Sequence, residues 1–252
     1  ESGTQSQTIT ITENDSAPTV TLTRSAASIA ENSSGTVTLT ATLSIKTTAA
    51  VTVTLGSSGG TAGTDYVNLS TITVSAGSTT GTTTFDPTDD SVYEDDEAIT
   101  ITIDGVAGGS ATESGNQSVI ITISENESAP TVALTSSASS VYDNGSDLTL
   151  TATASGAADE DITVAITPTG TATEGTDYAT ISNITISAGD TTGTTAFNPT
   201  SDTVNEGSET AIVAITGVSG GGASEDGTQS VTITITEYAL RTTTAFADSG
   251  SD

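Results

Sequence analysis

The chain contains no cysteine, histidine, methionine or tryptophan, and only three of its 252 residues are lysine or arginine. Those gaps remove whole chemistries. There can be no thiolate or imidazole nucleophile, no Ser-His-Asp relay, no disulfide, and no zinc or haem centre built from the usual ligands. The basic residues, Arg24, Lys46 and Arg241, are too few to form a phosphate-binding footprint, which makes nucleic acid and anionic membranes poor partners. No apolar run is long enough to span a bilayer. The opening Glu1-Ser2-Gly3-Thr4 lacks the basic and apolar regions of a signal peptide, so the sequence is expected to be a processed product or an excerpt.

What is abundant is negative charge. Thirty-two Asp and Glu set a formal net charge of −29. The densest stretch runs Phe85-Asp86-Pro87-Thr88-Asp89-Asp90-Ser91-Val92-Tyr93-Glu94-Asp95-Asp96-Glu97, with no Lys, Arg or His in it. Carboxylates crowded together repel unless they protonate, splay into water or share a cation. Calcium, hard, oxygen-seeking and geometrically tolerant, is the natural counter-charge. This loop is therefore expected to supply half of a calcium site.

The chain also repeats itself. Glu1-Ser2-Gly3-Thr4-Gln5-Ser6 returns as Glu113-Ser114-Gly115-Asn116-Gln117-Ser118 and as Glu225-Asp226-Gly227-Thr228-Gln229-Ser230, a period of 112 residues both times. The same period carries Ser16-Ala17-Pro18-Thr19-Val20 onto Ser128-Ala129-Pro130-Thr131-Val132, Asp65-Tyr66 onto Asp177-Tyr178, and Phe85 and Pro87 onto Phe197 and Pro199, without insertion or deletion. Within each copy apolar residues alternate with threonine: Val37, Leu39, Ala41, Leu43; Val51, Val53, Leu55; Ile99, Ile101, Ile103; Val119, Ile121, Ile123; and again Leu148, Leu150, Ala152; Ile162, Val164, Ile166; Val231, Ile233, Ile235. Period two marks strands with one buried face, and β-branched Thr favours extended backbone while keeping the outer face wet. Gly-rich punctuation such as Ser57-Ser58-Gly59-Gly60 and Asn144-Gly145 separates the runs. The pattern predicts an all-β chain of tandem seven-stranded immunoglobulin-like antiparallel sandwiches. Phe85 and Phe197 read as core, and Tyr66 and Tyr178 as packing beside the acidic loop.

The expected divisions are residues 16–127 for the first repeat, 128–237 for the second and 238–252 for a divergent tail. Residues 1–15 read as the last strand of a preceding repeat or a strand donated to a neighbouring chain. Between the repeats only Ser128, Ala129 and Pro130 separate Glu127 from the next strand. Pro130 fixes its own φ and restricts Ala129, so an ion held at Glu127 is expected to stiffen the junction.

The ordered set Glu31, Gly63-Thr64-Asp65-Tyr66, Ile72-Thr73-Val74, Gly77, Asp89-Asp90, Glu94 and Glu97 resembles the Calx-beta pattern over nearly all of both copies. That family includes the calcium-sensing domains of the sodium/calcium exchanger and repeats of bacterial surface proteins. The resemblance implies a calcium site at one end of each sandwich. In the first repeat it implies Glu31, Asp65, Asp89, Asp90, Glu94, Glu97, Glu125 and Glu127 as ligands; in the second, Asp143, Asp177, Asp202, Glu206, Glu209 and Glu237. Glu13 and Asp15 would serve a repeat before the first. Ser201 stands where the first copy has Asp89, and Gly207 and Ser208 where it has Asp95 and Asp96, so the second site is expected to bind fewer ions or bind them more weakly.

Acidic runs are also ordinary solvated loops that confer solubility or salt tolerance, and Asp95, Asp96, Glu113 and Glu225 are read that way. A glycosidase acid–base pair fits badly, because a sugar cleft normally presents aromatic platforms and only 3% of the residues are aromatic. Asn-X-Ser/Thr triplets such as Asn32-Ser33-Ser34 and Asn183-Ile184-Thr185 carry little weight in so Ser/Thr-rich a chain. The expected function is non-enzymatic: a calcium-rigidified segment of an extracellular adhesin, surface filament or matrix fibre, at the cell surface, with calcium ions, neighbouring repeats and identical chains as partners. A calcium sensor acting on an attached domain, or an appendage of a secreted enzyme, stays open beside it.

Overall fold

The structure is a computed structural model describing residues 3–12 and 14–238. Its first copy carries β1 (Thr19–Arg24), β2 (Ser28–Ala30), β3 (Val37–Leu43), β4 (Val51–Ser58), β5 (Ile72–Val74), β6 (Thr80–Phe85), β7 (Val92–Tyr93), β8 (Glu97–Ala107), β9 (Thr112–Glu113) and β10 (Ser118–Ser124). The second carries β11 (Thr131–Ser136), β12 (Ser140–Tyr142), β13 (Leu148–Ala154), β14 (Ala157–Ala158), β15 (Ile162–Gly170), β16 (Ile184–Ile186), β17 (Thr192–Phe197), β18 (Glu209–Ser219), β19 (Ser224–Glu225) and β20 (Ser230–Thr236). Among the described residues no helix is long and apolar enough to cross a membrane.

The described residues fall into two compact units, one comprising residues 3–12, 14–90 and 96–126, the other residues 91–95 and 127–238. In the first unit a sheet ordered β6-β3-β1-β9 faces one ordered β2-β10-β8-β4-β5. Seven principal strands form this sandwich, with β2 and β9 as short parallel additions along β10 and β1. The second unit repeats the arrangement as β17-β13-β11-β19 and β12-β20-β18-β15-β16, and within it β7 pairs in parallel with β14.

The period-two reading explains each core. Along β3 the residues alternate buried and half-buried over Val37, Leu39, Ala41 and Leu43, and the inward residues of β8 and β18 do the same. Strands whose apolar residues all fall on one face can bury that face only against a second sheet, which is what fixes the sandwich. Each core holds a stacked aromatic pair: Tyr66 and Phe85 at 5.0 Å between centroids, Tyr178 and Phe197 at 4.8 Å. Gly193 lets β17 pass close to β16, since a Cβ there would strike the Thr185 carbonyl oxygen.

Candidate metal centre

Sheet register alone brings the acidic residues of the second unit together. Glu209 is the first residue of β18 and pairs with Ile235 of β20, so Glu237 leaves β20 beside it. Tyr142 at the end of β12 pairs in parallel with Thr236, and the next N–H, that of Asp143, donates to the Thr236 carbonyl at 3.0 Å. Asp143 and Glu237 thus emerge from adjacent strands at the same end.

Asp177 reaches that end by a different route. The turn Thr173–Asp177 is closed by the Asp177 N–H donating to the Thr173 carbonyl at 2.9 Å, and Gly175 sits in it at φ +85°. That conformation costs a glycine little. Asp177 Oδ2 accepts the Thr173 N–H at 2.6 Å, leaving the carboxylate's remaining lone pairs for another partner. The neighbouring Tyr178 is buried against Phe197 and bridges Pro199, while the Thr200 N–H donates to the Asp177 carbonyl at 2.9 Å. The aromatic pair therefore anchors the aspartate turn to the start of the acidic loop.

One carboxylate oxygen from each of Asp177, Glu206 and Glu209 lies within 4.8 Å of the others, and Asp177 is only 8% exposed. A cavity of about 10 Å³ is lined by all six carboxylates the sequence nominates in this repeat, Asp143, Asp177, Asp202, Glu206, Glu209 and Glu237. That is room for roughly one water-sized body. Calcium–oxygen distances of about 2.3–2.6 Å put facing ligands roughly 4.6–5.2 Å apart, so an oxygen spread of 4.8 Å suits a single such ion. The donors are all oxygen, as a hard cation requires.

The first unit builds the same ends. Glu31 follows β2, its N–H donating to the Ser124 carbonyl at 3.0 Å, and it is 5% exposed. Its carboxylate comes within 4.8 Å of that of Glu125, and Asp65 comes within 4.8 Å of Glu97. Asp65 Oδ2 accepts the Thr61 N–H as Asp177 accepts that of Thr173. Asp89, Asp90 and Asp202 stand exposed, while Glu94 and Glu127 are half-buried and pack with the second unit. Asp15 is exposed, and Glu13 lies outside the described residues.

Three residues read as solvated acids have structural tasks. Asp96 Oδ1 accepts the Glu125 N–H at 3.0 Å. Glu113 and Glu225 each accept the N–H of a glutamine four residues on, Gln117 and Gln229. Those glutamines in turn accept the N–H of Leu22 and Leu134, at 3.3 and 3.4 Å, tying the turn before the last strand to the opposite sheet. Sequence reasoning also passed over Glu174, which accepts the Ile181 N–H at 3.0 Å. The motif Glu-x-x-x-Gln, present in both copies, is the signal that could have found the turn.

Residues 125–239 match the family model described as the Calx-beta domain, and residues 15–125 match the LapA domain. The second repeat is a Calx-beta domain. Similar solved structures include CBD12 from CALX1.2, at 16% identity over 82% of this chain and 96% of that one with a TM-score of 0.37. The apo-form Calx CBD1 domain is 17% identical over 43% and 99%, TM-score 0.37, and the D0-D1 domain of intimin 12% over 88% and 100%, TM-score 0.31. No curated protein sequence matches.

Charge crowding in the second Calx-beta repeat shows in its acids. Glu206 is held above the usual glutamate value by lost solvation, then by the charges of Asp177 and Asp202, a hydrogen bond with Asp177, and Glu237. Glu209 is raised by lost solvation and a hydrogen bond with Asp177, then by the charges of Asp177, Glu206 and Glu237. A carboxyl raised on folding binds more protons folded than unfolded, so its contribution is fully present below the unfolded value of 4.5 and is lost as pH rises through the folded value. In chelator the second repeat is therefore expected to melt lower at pH 7 than at pH 5. Glu206→Gln with Glu209→Gln should flatten that slope; equal slopes with and without the substitutions would contradict it.

Proposed function

We propose that each repeat binds calcium between the loops at one end of its sandwich, and that the loaded repeats form a load-bearing segment of an extracellular adhesin or surface filament. The observation that carries the reading is the meeting of Asp177, Glu206 and Glu209 within 4.8 Å in a chain whose basic residues number three. Like charges gathered from separate loops destabilise a fold unless something positive occupies the gap. The Calx-beta match over residues 125–239 supports calcium as that ion.

In the second repeat Asp177, Glu206 and Glu209 would hold the metal, with Asp143, Asp202 and Glu237 lining the same cavity. The ion supplies charge neutralisation and no reaction chemistry. Its role is to fix loop ends that repulsion would otherwise spread, and the short Ser128-Ala129-Pro130 joint gives stiff repeats little slack between them.

Isothermal calorimetry with calcium tests the binding. The expected result is saturable binding below millimolar calcium, the strength usual for sensor and weaker sites at about 10⁻⁶ to 10⁻³ M. In Asp177→Asn with Glu209→Gln, the binding belonging to the second repeat should vanish while that of the first persists. No binding to the intact chain at millimolar calcium would sink the proposal.

A further inference from the structure

Asn144-Gly145 is the one Asn-Gly pair among the nine asparagines of the sequence. It completes a tight turn after β12, the Gly145 N–H donating to the Tyr142 carbonyl at 2.8 Å. Asn144 is exposed, and among the described residues its side-chain amide has no hydrogen-bond partner. The glycine answers to packing: a Cβ there would come within 2.7 Å of Val141 Cγ2 and 2.9 Å of the Tyr142 oxygen. That close fit leaves an asparagine followed by the one residue that puts no side chain in the way of its own backbone nitrogen.

Asparagine is among the chemically labile residues, and this pair can react with itself. The Gly145 nitrogen attacks Asn144 Cγ to close a cyclic imide, and the displaced side-chain amide takes up the Gly145 proton and leaves as ammonia. Water then opens either imide carbonyl, giving aspartate or isoaspartate. The net change is water taken up and ammonia released, with no oxidant or reductant. Ring closure needs the Gly145 nitrogen free of the Tyr142 carbonyl, so the turn must open first. Asp143 opposes that opening. Its Oδ1 accepts the N–H groups of Asn144 and Tyr238, both at 2.9 Å, and its Oδ2 accepts the Ser201 hydroxyl at 3.3 Å. The same carboxylate lines the cavity shared with Asp177, Glu206 and Glu209.

We propose that Asn144 is a self-modification site, converted through the imide to an acid, and that an ion bound at this pole holds the turn shut against the reaction; the second clause rests on the calcium reading above. Conversion damages the site directly. Asn144 lines an open pocket with Asp143, Asp202 and Glu237, so either product adds a carboxylate where like charges already crowd. Isoaspartate also inserts a backbone methylene next to Asp143, loosening that residue from its turn. A calcium-starved second repeat therefore loses its site irreversibly with age, whereas a loaded one keeps it. The first copy supplies the control. Its equivalent turn closes with the Ser33 N–H on the Ala30 carbonyl at 3.0 Å, but there Asn32 is followed by serine, whose side chain hinders the attack.

The test ages the full chain at mildly alkaline pH in chelator and in calcium well above the dissociation constant found by calorimetry, and reads each asparagine by peptide mapping with mass spectrometry. In chelator Asn144 is expected to gain the mass of an amide-to-acid change several-fold faster than Asn32. Calcium should slow the gain by at least about 10-fold, toward the factor of about 100 that linkage allows at a hundredfold excess over the dissociation constant. Asn144→Gln, which would need a larger ring, should fold, bind calcium and stop the change at that position. Equal rates at Asn144 and Asn32 would overturn the proposal. So would calcium that calorimetry shows bound to the second repeat yet leaves the Asn144 rate unchanged. Absence of any calcium binding would overturn the protective half together with the calcium reading, and the chelator comparison alone then decides the chemistry.

Discussion

Calcium at a hundred times its dissociation constant is expected to raise the melting temperature of the second repeat by roughly 10 °C over the same protein in chelator. The shift follows from linkage. A ligand that binds only the folded state adds about 2.7 kcal/mol at that excess, and each kcal/mol moves a domain of about a hundred residues by roughly 4 °C or more. The unfolded chain cannot compete for the ion, because Asp177 comes from the turn before β16 whereas Glu206 and Glu209 come from the start of β18. Differential scanning calorimetry of the whole chain in calcium and in chelator reads the effect. Asp177→Asn with Glu209→Gln should cancel the calcium response, and it should do so without lowering the metal-free melt, since it removes two mutually repelling charges. A calcium response that survives the pair of substitutions would place the ion elsewhere.

The second large effect lies in the core beneath that site. Phe197 is fully buried and stacks on Tyr178 at 4.8 Å, so Phe197→Ala removes a ring from a close-packed interior at a cost of about 3–5 kcal/mol. A domain has only about 5–15 kcal/mol in total. The second repeat of the variant should melt far below the first, and Phe85→Ala should reverse the order. Calcium binding should fall with the core, because Tyr178 is the residue that seats Asp177. Chemical denaturation, with amide exchange reporting on each repeat, decides it. Two repeats that still melt together would show that the aromatic pair is not the keystone of either core.

Strand positions were legible because they are written twice over: period-two alternation gives the buried face, and threonine at the intervening positions gives the wet one. Val37 to Leu43 and Ile99 to Ile103 lie where that pattern puts them. Asp65 and Asp177 were legible for another reason. An acidic residue next to a tyrosine that must enter the core has its own side chain turned the opposite way, toward the loop end. Burial was harder to read. The adjacent pair Asp89 and Asp90, and Asp95 and Asp96 at the centre of the densest acidic run, stand exposed, while Glu31, a lone acid, is 5% exposed. Linear charge density says nothing about which carboxylates a sheet register will enclose. The backbone N–H that Asp96 accepts carries no mark in the sequence, since any residue can supply one, whereas the turns closed on Glu113 and Glu225 are marked by a glutamine four residues on, a spacing that charge density alone hides.

The long reach between the turn that holds Asp177 and the β18 strand that begins at Glu209 also governs time. Contacts joining distant parts of a β chain form late as the protein assembles, so an ion bridging them acts mostly after the barrier has been crossed. Calcium should leave the speed of refolding nearly alone and slow the escape from the native state. For a molecule stretched or exposed to proteases, that lifetime matters more than the equilibrium.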